Sequence, residues 1–150
     1  MADCNAYSIQ CHAFMQFSGE DLDPERISRL IALTPFSSKK RGERMGPPRP
    51  GRPTPLARRG GISYSTYRIV VSDDINDHLR YLLNAVRPVS EQLKALVDRE
   101  HLRWGIVLFF DDAPADWRSR LEKSIAENLD SLGIEVILDD PNTITVVEET

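Results

Sequence analysis

Apolar and polar positions alternate from residue 7 to residue 17: Tyr7, Ile9, Cys11, Ala13, Met15 and Phe17 fall on one side, Ser8, Gln10, His12 and Gln16 on the other. A period of two with one polar face predicts a strand with a single face on the core. A helix start follows, with Asp23 as cap, Pro24 in the first turn and Leu22 placed to staple onto Ile27. Ile27, Leu30, Ile31 and Leu33 give that helix a narrow stripe, and Pro35 is its predicted stop. Ile62 to Ser72, rich in Tyr, Ile, Val and Thr, reads as a strand. Ile75, Leu79, Leu82, Leu83 and Val86 predict a helix ended by Pro88, and Leu93, Leu96 and Val97 a short second one capped by Ser90. Leu102 to Phe110 is the most apolar strand, and so the predicted centre of the sheet. Trp117, Leu121, Ile125, Leu129 and Leu132 form the longest helical stripe, with Gly133 as its C-terminal stop. Ile134 to Leu138 and Thr143 to Val147 read as strands joined through a turn at Asp140-Pro141-Asn142.

The predicted order is β-α-loop-β-α-α-β-α-β-β. It implies an α+β fold: a mixed, partly antiparallel four- to five-stranded sheet with helices packed mainly on one face. The length of 150 residues suits one domain with its own core. No apolar run approaches the roughly 18 residues of a membrane span, and Met1-Ala2-Asp3-Cys4 has neither the basic nor the apolar region of a secretory signal. Cys4 and Cys11, if on one strand, stand about 23 Å apart, far outside disulfide reach. Reduced thiols and a cytoplasmic location are the expectation.

Residues 37 to 61 break every pattern. They hold Lys39, Lys40, Arg41, Arg44, Arg49, Arg52, Arg58 and Arg59 against one acid, Glu43. The segment is therefore +7, which leaves −11 on the rest of a chain whose net charge is −4. Five prolines and five glycines in it oppose a helix or a central strand, so a long basic surface loop with polyproline-like stretches is predicted. Its cations are the candidate partner-binding residues. Arg44-x-x-Pro47-x-x-Pro50 and Pro47-x-x-Pro50-x-Arg52 match the ligands of grooved domains. Nucleic acid is the weaker reading, because no aromatic residue for base stacking lies between Phe36 and Tyr64. The bland reading is a solvated loop folded back onto the acidic remainder.

The candidates for chemistry are sparse. Asp73-Asp74, Asp111-Asp112 and Asp139-Asp140 each follow a predicted strand, so parallel strands would gather them at one sheet edge, where oxygen ligands could hold a metal. Helix capping and turn formation account for the same residues more simply. His12, His78 and His101 are scattered, and neither a nucleophile elbow nor a phosphate-binding glycine loop is present. No catalytic residue, metal site or cofactor is assigned. A polar pocket using His12, His78, Tyr64 or the aspartates is the alternative to a binding domain.

Phe17-Ser18-Gly19-Glu20, Leu22-Asp23-Pro24, Ile27-Ser28, Leu30 and Leu33-x-Pro35 resemble the opening of the bacterial "domain of unknown function 4279" family. The likeness continues through Lys40-Arg41-Gly42-Glu43, Tyr64 in a small polar setting, His78-Leu79, Leu82-Leu83 and Leu132-Gly133. The family's aromatic is commonly Trp where this chain has Tyr64. The resemblance implies a loop between the first helix and second strand, with Gly42 and Glu43 in its less variable part, and no catalytic residues to carry over. It also implies an accessory, immunity-like role with another protein as partner.

Overall fold

The computed structural model describes residues 10–47 and 50–139. Five strands form one sheet in the order β2-β3-β1-β4-β5. β1 (Cys11–Gly19) keeps the predicted alternation: Cys11, Ala13, Met15 and Phe17 are buried, while His12, Phe14, Gln16 and Ser18 are not. It runs two residues past Phe17, and its predicted start at Tyr7 lies outside the described residues.

α1 (Pro24–Leu30) begins as its sequence dictates. Asp23 takes an extended backbone and its carboxylate accepts the Glu25 N–H at 3.1 Å, while Leu22 and Ile27 are both buried. It ends earlier than Pro35 suggested. Ile31 turns extended (φ −91°, ψ 122°) with its N–H still on the Ile27 carbonyl, so Leu33 is not helical.

The loop prediction is corrected at both ends. β2 (Ser37–Lys39) pairs antiparallel with β3 (Gly60–Ser65), Ser37 opposite Ser63 and Lys39 opposite Gly61. This pair makes the sheet partly antiparallel. The hairpin predicted at 140–147 lies outside the described residues. β3 is buried along its whole length but stops at Ser65 rather than Ser72. The Ile69 and Val70 N–H groups both fold back onto the Thr66 carbonyl, and Arg68 adopts a left-handed φ of 63°. The β-prone side chains of Tyr67, Ile69 and Val71 are thereby left exposed.

α2 (Ile75–Val86) runs through a single 3-10 turn at Arg87–Val89, which contains Pro88, into α3 (Ser90–Glu100). Ser90 is the first residue of α3 and not its cap: Val89 holds that position with no side-chain bond. β4 (Arg103–Phe110) is followed by overlapping turns that link Pro114 to Leu121, so Trp117 and Leu121 precede α4 (Lys123–Leu132) instead of belonging to it. A three-residue turn repeat and a helix place apolar residues at similar spacing, which explains the overlong prediction. Gly133, at φ 70°, closes α4, and β5 (Glu135–Asp139) then lies parallel to β4 with Gly105 opposite Glu135.

The contacts group the described chain into two units, one of residues 10–15, 65–84 and 105–139, the other of 16–64 and 85–104. The first buries Ala13, Met15, Leu79, Leu82, Ile106 and Leu108. The second buries Phe17, Ile27, Ile31, Ile62, Leu93 and Trp104, with the Phe17 and Trp104 rings stacked at 5.0 Å. Each such side chain contributes about 1.5–3 kcal/mol by leaving water. Among the described residues, no helix is long and apolar enough to cross a membrane.

Candidate functional site

The basic segment leaves the sheet as an ordered arm. Lys39 at its entry and Gly61 just past its exit are paired neighbours in the sheet. The two limbs then bond to each other: Gly42 N–H to the Ala57 carbonyl, Ala57 N–H to the Glu43 carbonyl and Met45 N–H to the Pro55 carbonyl, each at 2.8 Å. Arg44 and Leu56 form the bridge between them. Gly42 sits at φ 91°, a conformation that side chains rarely adopt, at the bend where the arm begins. Gly46 and Gly51, on either side of the Pro47-to-Pro50 stretch, adopt φ values of 90° and 75°, which polyproline geometry does not allow.

The eight cations have different fates. Lys40 reaches Asp23 at 3.7 Å, and Arg41 reaches Glu20 at 3.4 Å and Asp21 at 3.3 Å, all exposed pairs. Such pairs contribute little stability, at most about 1 kcal/mol each. Arg59 stands at the foot of the arm, one residue before β3, and Arg49 lies outside the described residues. Lys39, Arg44, Arg52 and Arg58 are exposed and form no ion pair among the described residues. Beside them, Met45 is 45% and Leu56 56% exposed. Met45, Pro47, Arg52, Pro53 and Pro55 line a groove of about 410 Å³ near the tip.

A second concavity belongs to the first unit. It measures about 460 Å³ and is lined by Gln10, Cys11, Asp73, Asp74, Ile75, Asn76, Phe110, Asp112, Pro114, Trp117 and Arg120. Local chemistry builds it. Asp73 accepts the Gln10 N–H at 2.8 Å, and Asp74 accepts both the backbone and side-chain N–H of Asn76 at 3.0 Å, capping α2. Asn76 then fastens the turns after β4, donating to the Arg120 carbonyl at 3.0 Å and accepting the Glu122 N–H at 2.8 Å. Arg120 is held by Asp116 at 2.9 Å, and the Arg118 guanidinium lies 4.8 Å over the Trp117 ring. Burial, and after it the carboxylates led by Asp73 and Asp74, push the Cys11 thiol up to about 11, so it is a poor nucleophile near neutrality.

Two of the three aspartate pairs thus contribute to one site, although β3 ends at Ser65 and Asp73-Asp74 do not follow a strand as expected. Asp139 ends β5 and does not line it, and Asp140 lies outside the described residues. Among the described residues no group of three or more His, Cys, Asp or Glu is arranged to hold a metal. Trp117 and Arg120, read from sequence as helix, were missed as lining residues. The proline-rich Asp111-Asp112-Ala113-Pro114 start of that stretch was the available signal.

The other residues considered for chemistry do not line the cavity. His78 is fully buried, its Nε2 2.7 Å from the Ser72 carbonyl and its Nδ1 2.6 Å from the Thr66 hydroxyl. A carbonyl only accepts, so Nε2 carries hydrogen, and Nδ1 shares its hydrogen bond with the Thr66 hydroxyl. His12 stacks on Phe109 at 4.6 Å, and burial lowers its pKa below 6.5, with His78 adding to the effect and Asp111 opposing it. Tyr64 is buried with no hydrogen-bond partner for its hydroxyl among the described residues, and burial pushes it up to about 12. His101 closes α3 in a left-handed turn.

No curated protein and no solved structure matches the chain. Residues 9–141 match the family model described as "Domain of unknown function (DUF4279)", and the chain belongs to that family.

Proposed function

We propose that this protein is a non-enzymatic accessory domain, immunity-like in character, that grips an acidic face of another protein with its basic arm. One observation carries the reading: the arm is a cross-bonded ribbon that presents Arg44, Arg52 and Arg58, which form no ion pair among the described residues, beside exposed Met45 and Leu56. A ribbon already ordered loses less conformational entropy on binding than a free loop would. Cations beside apolar side chains combine long-range attraction with contact area. The candidates for catalysis do not converge: His78 is spent on structure, and His12 and Tyr64 lie outside the cavity lining.

The test places a photo-crosslinking residue at Leu56, and in parallel at the helical surface position Lys123, in the full chain. A discrete protein should be captured from Leu56 alone. R44E/R52E/R58E, with an unchanged circular dichroism spectrum, should lose it. Capture that survives the charge reversal, or that disappears on nuclease treatment, would overturn the reading, the latter in favour of nucleic acid.

A further inference from the structure

The cavity of the first unit has a chemistry of its own, and all of its lining residues fall outside the arm. Its volume of about 460 Å³ lies within the range of small-molecule sites, roughly 300–1,000 Å³. Its walls divide by character. Ile75, Phe110, Pro114 and Trp117 supply an apolar side, and Asp73, Asp74 and Asp112 a carboxylate side. Those carboxylates are not used up by the fold. Among the described residues, Asp73 and Asp74 each engage one oxygen, Oδ1, and Asp112 makes no hydrogen bond or ion pair. Arg120, the one cation among the described lining residues, already has Asp116 on its Nε. An anion would meet three carboxylates at this wall, whereas a cation would find free oxygens on exposed side chains beside an apolar wall, where bonds to an ionised group are the stronger kind.

We infer that this cavity binds a small organic cation, a primary ammonium or guanidinium carried on an apolar body. The charged end is held by Asp112 with Asp73 and Asp74, and the body lies along Phe110 and Trp117. The protonated thiol of Cys11 forms part of the lining and takes no covalent role.

Calorimetric titration of the full chain with phenethylamine, and with its neutral and anionic counterparts 2-phenylethanol and hydrocinnamate, tests this. Phenethylamine should bind at least about tenfold more tightly than 2-phenylethanol, since a hydrogen bond to a charged group is worth that ratio or more. Hydrocinnamate should show no heat. Asp112→Asn should weaken phenethylamine about tenfold while leaving 2-phenylethanol unchanged, and Asp112→Glu should restore most of the loss. Asp112 supports no described hydrogen bond, so its variants should melt as the parent does. Equal affinity for the amine and the alcohol, binding of the carboxylate, or indifference to Asp112→Asn would each overturn the inference. Arm variants should leave every one of these heats unchanged, so failure here is separate from failure of the arm's role.

Discussion

Replacing Thr66 with Val changes almost nothing in volume yet removes one hydroxyl from a fully buried site. That oxygen accepts the Ala13 N–H at 2.9 Å and meets His78 Nδ1 at 2.6 Å, so the substitution orphans a backbone donor of β1 and a ring nitrogen together. An unsatisfied buried polar group costs about 1–3 kcal/mol, and two of them about 2–6 kcal/mol. Whole-domain stability is only about 5–15 kcal/mol. At roughly 2–4 °C per kcal/mol for a chain of this size, T66V should melt about 4–24 °C below the parent. Thr66→Ser keeps the oxygen and loses one methyl, a cost near 1 kcal/mol. Urea unfolding followed by circular dichroism at 222 nm gives both values. A T66V stability within about 0.5 kcal/mol of the parent, or a T66S loss as large as that of T66V, would refute the assignment of Thr66 as the joint between β1 and His78.

Two further outcomes rest on single contacts. A Cβ on Gly60 would stand 2.1 Å from the Leu22 carbonyl oxygen, whereas one on Gly19 would meet the movable Leu102 Cδ2 at 2.4 Å. Gly60→Ala should therefore cost about 1–3 kcal/mol or more and Gly19→Ala distinctly less, read as two melting temperatures; equal losses would contradict the backbone clash. The folded-state pKa of His12 lies below its ordinary 6.5, so the unfolded chain takes up a proton first as pH falls. Its contribution is whole above 6.5 and shrinks as pH drops from there toward the folded value. His12→Phe should flatten the fall in stability between about pH 7 and 5, and an unchanged slope would show that His12 does not carry it.

The sequence spoke most clearly where one local cause decided the structure. Alternation alone identified the buried face of β1, and Asp23-Pro24 with Leu22 and Ile27 announced α1 because cap, first turn and staple are chemistry within five residues. Errors arose where a distant partner decided. Ser37–Lys39 has no strand pattern and becomes β2 through pairing with β3. Tyr67, Ile69 and Val71 have the right composition for a strand, yet Thr66 is held by Ala13 and turns the chain away. The cavity was half legible. Asp112 follows the end of β4, a position visible in sequence, but Asp73 and Asp74 stand well past the end of β3, and Trp117 and Arg120 reach the cavity through the Asn76 bonds to Arg120 and Glu122, which join residues 44 and 46 positions apart.

The place of β1 in the sheet also bears on how the chain is made. Its neighbours are β3 and β4, which begin at Gly60 and Arg103, so the earliest described strand has no sheet partner until much of the chain has left the ribosome. At roughly 5–20 residues per second, the delay from β1 to β4 is on the order of 5–20 s. The apolar row Cys11, Ala13, Met15 and Phe17 has neither flank until β3 is made, and only one until β4 follows. The nascent chain is then most open to chaperone capture, and substitutions that make this row stickier should lower soluble yield before they alter the finished fold.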